Sequence, residues 1–176
     1  MQLYNTLSNE EREKLIDQAG VNRLTLSFYA YAHIDNPQQF RDELFVRWSE
    51  LDVLGRIYVA REGINAQLSL PAHNMRDFKD FLDSYTFMKD IRLNIAVEHD
   101  NKSFLKLKIK VRDKIVADGL NDNTFDVTNI GIHLKAQDFN NMMDDPDTIV
   151  IDMRNHYESE IGHFEGAITP DVTTFR

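Results

Sequence analysis

The sequence predicts an α+β fold, and three observations carry that prediction. Two amphipathic stretches with helical spacing alternate with short segments in which every second residue is apolar. A proline marks the start of each helical stretch, Pro37 in the first turn of one and Pro71 at the end of the strand before the other. The 176 residues are 42% hydrophobic and 28% charged, which suits one large domain or a small domain with part of another and excludes a disordered chain. No apolar run approaches the roughly 18 residues that a membrane span needs. The amino terminus, MQLYNTLSNEEREKLID, lacks the basic-then-apolar pattern of a secretory signal, so the expected address is the cytoplasm and no membrane partner is expected.

Taken in order, Ser8 and Glu11 have capping-box spacing, in which each side chain satisfies a free backbone N–H at a helix start. That helix should run to about Gln18 and stop at Gly20. In residues 24–31, Leu24, Leu26, Phe28 and Ala30 alternate with Thr25, Ser27, Tyr29 and Tyr31, as in a half-buried strand. Asn36, Pro37 and Gln39 then read as N-cap, first-turn proline and capping-box partner, followed by Phe40, Leu44, Trp48 and Leu51 at helical spacing. Residues 56–60 and 64–70 are two short strands joined by Arg61-Glu62-Gly63, a connection suited to a hairpin with glycine at positive φ. Met75, Phe78, Leu82 and Tyr85 mark the next amphipathic helix, and residues 92–97 return to alternation.

The order β-α-β-β-α-β is that of the ferredoxin-like, or acylphosphatase-like, arrangement, a four-stranded antiparallel sheet with both helices on one face. The face expected under the helices carries Leu24, Leu26, Phe28, Ile57, Val59, Ile64, Ala66, Leu68, Leu93, Ile95 and Val97. The opposite face is polar: Thr25, Ser27, Tyr29, Tyr31, Arg56, Tyr58, Asn65, Gln67, Ser69, Arg92 and Asn94. Tyrosines on such a sheet can stack bases, which makes Tyr29, Tyr31, Tyr58, Arg56 and Arg92 candidates for RNA contact. The same face could equally pack against a neighbouring domain, and it carries no RNP1-like string.

Residues 103–116 alternate more strictly than any other segment. Leu105, Leu107, Ile109 and Val111 fall on one side; Lys106, Lys108, Lys110 and Arg112 fall on the other, with Lys114 extending the basic series. An added strand or ribbon with one basic face is expected, its cations about 6.8 Å apart and so able to follow successive phosphates. Lysines that guard an exposed strand edge would give the same pattern. The charge distribution singles this segment out. Residues 101–120 carry 6 basic and 2 acidic side chains, against 11 and 16 in residues 1–100 and 3 and 11 in residues 121–176.

Beyond the ribbon, Asp118-Gly119 suggests a turn, the Asn- and Asp-rich residues 121–129 a connector, and residues 137–143 a short helix. Residues 148–154, TIVIDMR, have the β-branched, continuously apolar character of a buried parallel strand. Local catalytic motifs are missing. The six histidines show no H-x-x-x-H or H-E-x-x-H spacing, so no metal site is expected, and there is no nucleophile elbow, P-loop or dinucleotide fingerprint. The absence of cysteine removes disulfides, thiolate metal sites and cysteine nucleophiles.

Asp152, Arg154, Glu158, Gly162, His163 and Gly166, following an apolar strand, have the spacing of the opening third of a rhodanese domain, although Ser159 stands where such domains usually carry an aromatic. With GRIYVAREGINAQLSLPA at 55–72, KVRDKIVADG at 110–119 and IDMRNHYESEIGHFEGA at 151–167, nearly the whole chain resembles the amino-terminal portion of the bacterial rhodanese-containing tRNA uridine hydroxylases, the TrhO or YceA family. The resemblance implies hydroxylation of the wobble uridine of tRNA at carbon 5, with molecular oxygen as co-substrate and no other cofactor visible. It also implies a loop cysteine as the reactive group. This chain contains none, so no catalytic residue is expected here and the polypeptide alone should be inactive.

The implied layout is an N-terminal helix at 1–22, a ferredoxin-like domain with its basic ribbon at 23–120, a linker at 121–132, and the incomplete start of an α/β rhodanese domain at 133–176. The implied partners are tRNA and the remainder of the rhodanese domain. Asp152, Arg154 and Glu158 read as a structural charge cluster tying a strand to the following helix. Two rivals share the same residues: a sulfurtransferase fragment, and a non-catalytic RNA- or protein-binding module. Residues 133–176, short of sheet partners, are expected to be loosely held or borrowed by a neighbouring molecule.

Overall fold

In the computed structural model the described residues are 3–97, 100–116, 126, 128, 129 and 131–171. Backbone contacts divide the chain into two units, Met1–Val116 and Ala117–Arg176. Helix α1 (Asn9–Ala19) begins where the capping box places it: Ser8 Oγ accepts from the Glu11 N–H at 3.1 Å, and the Glu11 carboxylate accepts from the Ser8 N–H at 2.8 Å. Gly20, at φ 59°, ends it in the left-handed conformation that glycine adopts without a Cβ penalty. Helix α2 (Pro37–Glu50) starts with Asn36 Oδ1 accepting from the Gln39 N–H at 3.0 Å and Pro37 in the first turn.

Strands β1 (Arg23–Tyr31), β2 (Leu54–Ala60), β3 (Gly63–Pro71), β4 (Asn94–Ile95) and β5 (Leu107–Val111) form one sheet in the order β4-β1-β3-β2-β5. The first four give the predicted ferredoxin-like order. The ribbon joins as a fifth strand beside β2, and that pairing alone is parallel. Helices α2 and α3 (Met75–Asp83) cover one face, where Phe28, Trp48 and Phe78 meet with ring centroids 5.5–6.4 Å apart. Leu26, Phe28, Ile57, Val59, Ile64, Ala66 and Leu68 are buried there, as their alternation predicts. Burying each large side chain removes apolar surface worth about 1.5–3 kcal/mol from water.

Two expectations about the sheet need correction. Ile95 and Val97, assigned to the covered face, are exposed, Val97 at 99%. β4 is an edge of only two residues, and the chain has left the sheet by Val97. The opposite face, expected to be polar and left uncovered by the two helices, is closed at one end. Arg23, Ser69 and Leu54 are buried beneath α1 and the segment that crosses from β4 to β5. In that crossing, Asn101 Oδ1 accepts from the Arg23 N–H at 3.0 Å, Thr25 Oγ1 lies 3.5 Å from Ser103 Oγ, and Lys102 Nζ pairs with Asp17 at 2.9 Å. The Arg23 guanidinium donates to Asp52 Oδ2 at 2.7 Å, to the Asp52 and Ser69 carbonyls and to Ser69 Oγ. Burial holds its pKa below the usual arginine value, and Asp52 offsets part of that cost.

The outer edge of β5 is occupied by side chains. Asn5 Nδ2 donates to the Leu107 carbonyl at 2.9 Å and Arg41 Nε to that of Ile109 at 3.3 Å, while Arg41 Nη2 holds the Leu3 carbonyl at 3.0 Å. In the second unit, α4 (Ala136–Met143) matches the expected short helix, and α5 (His156–Ile161) starts with Asn155 and Glu158 in a capping box. The buried strand expected at 148–154 does not form. Among the described residues only Ile151 makes a bridge, to Ile168, and Ile149, Ile151 and Met153 are exposed; a segment so sparsely paired gains neither ladder bonds nor burial. The turn expected at Asp118-Gly119 and all but three residues of the 121–129 connector lie outside the described residues.

Gly63 opens β3 at φ 142°, and a Cβ there would collide with the Ala30 carbonyl. Gly63→Ala is therefore expected to destabilise the first unit by at least about 2 kcal/mol in urea unfolding, and an unchanged midpoint would refute this account of the hairpin.

Candidate nucleic-acid interface

Residues paired across neighbouring strands project from the same face, so the register decides which side chains share a surface. Asn94, Ser27, Gln67, Arg56 and Lys108 are paired in sequence across all five strands. One step along, Tyr29, Asn65, Tyr58 and Lys110 form the next row. The ribbon and the tyrosine-bearing face, two separate candidates in the sequence, are thus one surface. Arg56, Lys108, Lys110, Gln67 and Tyr29 are exposed on it; Ser27, Asn65 and Tyr58 are half-buried.

The other candidates lie around these rows. Lys106 precedes β5, half-buried, with its carbonyl accepting from the Gly55 N–H at 3.0 Å. Arg112 follows β5, its N–H bonded to the Val59 carbonyl at 2.8 Å and its guanidinium 5.7 Å from the centroid of the Tyr58 ring, within cation–π range. Tyr31 ends β1 opposite Gly63, edge-on to Tyr29 at 6.0 Å. Arg92 is exposed two residues before Asn94, and Lys114 is half-buried in the segment that turns back after β5. That segment is anchored at Ile115, which is buried: its N–H donates to Glu62 Oε1 at 2.7 Å, and its carbonyl lies 3.5 Å from Asn65 Nδ2. Sequence reasoning placed Gln67, Ser27 and Asn65 on this face without nominating them, and no local pattern signalled the Glu62 anchor. A hollow of about 200 Å³ flanks the first row, lined by Phe104, Lys106, Arg56 and Lys108 among others.

In the second unit, Asp152, Arg154 and Gly162 come together. Arg154 donates to both Asp152 carboxylate oxygens at 2.6–3.1 Å and to the Gly162 carbonyl at 2.6 Å, tying residue 152 to the end of α5. Glu158 accepts from the Asn155 N–H at 3.2 Å in the capping box, the His163 ring meets the Ser159 carbonyl at 2.8 Å, and Gly166 takes φ 76°. Every one of these contacts is internal to the segment.

The UPF0176 acylphosphatase-like domain model matches residues 23–115, the five-stranded sheet with α2 and α3. The chain belongs to the UPF0176 family. The TrhO or YceA resemblance read from its motifs therefore holds. It is 56% identical over 174 residues to a tRNA uridine(34) hydroxylase of Leptospira interrogans, covering 99% of this chain and 47% of that protein. It is 51% identical over 177 residues to the protein of that name from Salmonella typhimurium, and 50% identical over 175 residues to that of Photorhabdus laumondii. Each of these two alignments covers 99% of this chain and 50% of the relative. The chain spans about half the length of the curated relatives it matches.

Hydrogen bonds from Arg154 hold the Asp152 carboxyl at about 2, below the ordinary 3.8. A carboxylate with a depressed pKa stabilises the fold fully above its ordinary value and loses that contribution as pH falls toward the folded one, here between about 4 and 2. A carboxyl-carbon NMR titration should place the Asp152 midpoint near 2 and move it up toward 3.8 in Arg154→Met. A midpoint near 3.8 in the unsubstituted chain would sink the assignment.

Proposed function

We propose that this chain is the tRNA-recognition part of an oxygen-dependent hydroxylase that forms 5-hydroxyuridine at the wobble position. The observation that carries the reading is the register that sets Arg56 beside Lys108 and Tyr58 beside Lys110, joining cations to aromatic rings on one exposed face. Phosphates supply most of the affinity of such a surface, and unpaired bases stack on its tyrosines. The reaction is taken from the tRNA uridine(34) hydroxylases that the chain resembles. Among the described residues no helix is long and apolar enough to cross a membrane, and we assign the protein to the cytoplasm, where tRNA is modified.

Lys106, Lys108, Lys110, Arg112 and Lys114 contact phosphates in this proposal, with Arg56 and Arg92 beside them and Tyr29, Tyr31 and Tyr58 offering ring faces. Residues 133–176 are the beginning of a rhodanese domain, in which Asp152, Arg154, Glu158, Gly162, His163 and Gly166 frame the backbone and perform no chemistry. The reaction needs a cysteine that these 176 residues do not contain, so the polypeptide alone binds tRNA and leaves it unmodified.

Taking away one cation that neutralises a phosphate lowers the slope of log K against log salt by about 0.7–0.9. Replacing Lys106, Lys108, Lys110 and Arg112 together by glutamine should weaken tRNA binding and flatten that slope by about 3 in filter-binding titrations. An unaltered slope would remove these four residues from the interface. No tRNA binding by the unsubstituted chain at low salt would favour a protein-binding module, and tRNA lacking thio groups in cells without the gene would favour a sulfurtransferase.

A further inference from the structure

The row from Lys108 to Ser27 changes character as it crosses the sheet. Two cations, Lys108 and Arg56, are followed by the amide of Gln67 and the hydroxyl of Ser27. Adjacent strands lie about 4.8 Å apart, so Lys108 and Gln67 are separated by about 10 Å. That distance matches the reach from a phosphate to the far edge of its own base.

The floor on which this row lies is bounded on both sides. One row away, Thr25 meets Ser103 of the crossing segment at 3.5 Å. One row away in the other direction, Asn65 meets the carbonyl of Ile115, which Glu62 holds in place. Rows on one face repeat about every 7 Å, so these two contacts are about 14 Å apart along the strands. An interval of that size suits a single strand of RNA better than a double helix. Tyr29, 54% exposed and next to Ser27 on the same face of β1, flanks the amide end of the row.

Resting on the tRNA reading above, we infer that this row holds one unpaired nucleotide laid across the strands, its phosphate over Lys108 and Arg56 and its base edge against Gln67. A carboxamide offers one acceptor and two donors side by side, which match the paired donor and acceptor groups of a base edge. In a duplex the Watson–Crick edge is taken by the partner base and the other edge lies in the deep, narrow groove of A-form RNA, so the contact selects unpaired RNA. Tyr29 is placed to stack on the seated base. Gln67 is on this account a specificity-determining residue, and Lys108 and Arg56 supply attraction without reading sequence.

The test compares Gln67→Ala and Gln67→Thr with the Lys108→Gln, Lys110→Gln double variant in the full 176-residue chain. The probes are tRNA, a short unpaired oligoribonucleotide and an RNA duplex of the same sequence. Both Gln67 variants should bind the unpaired RNA roughly tenfold more weakly with an unchanged salt slope, whereas the lysine variant should flatten the slope. Thr, a good strand former, distinguishes removal of the amide from damage to the fold. If the lysine variant weakens binding while both Gln67 variants bind normally, the base contact is wrong and the tRNA reading stands. Duplex binding as tight as that of the unpaired strand also overturns the base contact. If none of the variants changes tRNA binding, both readings fall.

Discussion

The parallel pairing of β5 with β2 is the constraint on which the basic face depends. Leu107 and Ile109 are buried, Ile109 beside Ile57, and this sets the register. A slip of one residue would send both into solvent and two lysines into the core, at a cost far above the few kcal/mol that separate folded from unfolded protein. The position of the cations is therefore fixed from the apolar side. Arg56 and Lys108 lie directly opposite each other, and like charges so placed repel. The core supports that repulsion, and a polyanion lying across the pair would relieve it.

Much of this architecture can be read locally. The Ser8–Glu11 box, the Asn36-Pro37 start and the alternation in β1, β2 and β3 are interactions between residues a few positions apart, so sequence spacing reveals them. Features made by distant segments are less accessible. Period-two alternation identifies the basic side of the ribbon, but the partner strand is set by a pairing more than fifty residues away in sequence. The closure of one end of the polar face by α1 and the crossing segment rests on Arg23, Asn101 and Ser103, none of which has a distinctive neighbourhood in the sequence. Phe45 falls outside the expected helical stripe because α2 buries a wider face than the narrow spacing suggests.

The second unit makes the complementary point. Residues 148–154 have the composition of a central strand, and composition measures only what a segment gains when flanked on both sides. With a single bridge among the described residues, from Ile151 to Ile168, that gain is missing, and Ile149 and Met153 remain at the surface. The contacts from Arg154 to Asp152 and Gly162 survive because they need nothing beyond the segment itself.

The side chains on the outer edge of β5 bear on how that edge is guarded. An uncovered parallel edge is a template for polymerisation, since each added strand presents the same unpaired groups to the next. Asn5 and Arg41 take up the Leu107 and Ile109 carbonyls that an incoming strand would need. Asn5 stands ahead of α1, so a protease that trimmed the residues before that helix would do more than shorten the chain: it would leave the Leu107 carbonyl open to an incoming strand.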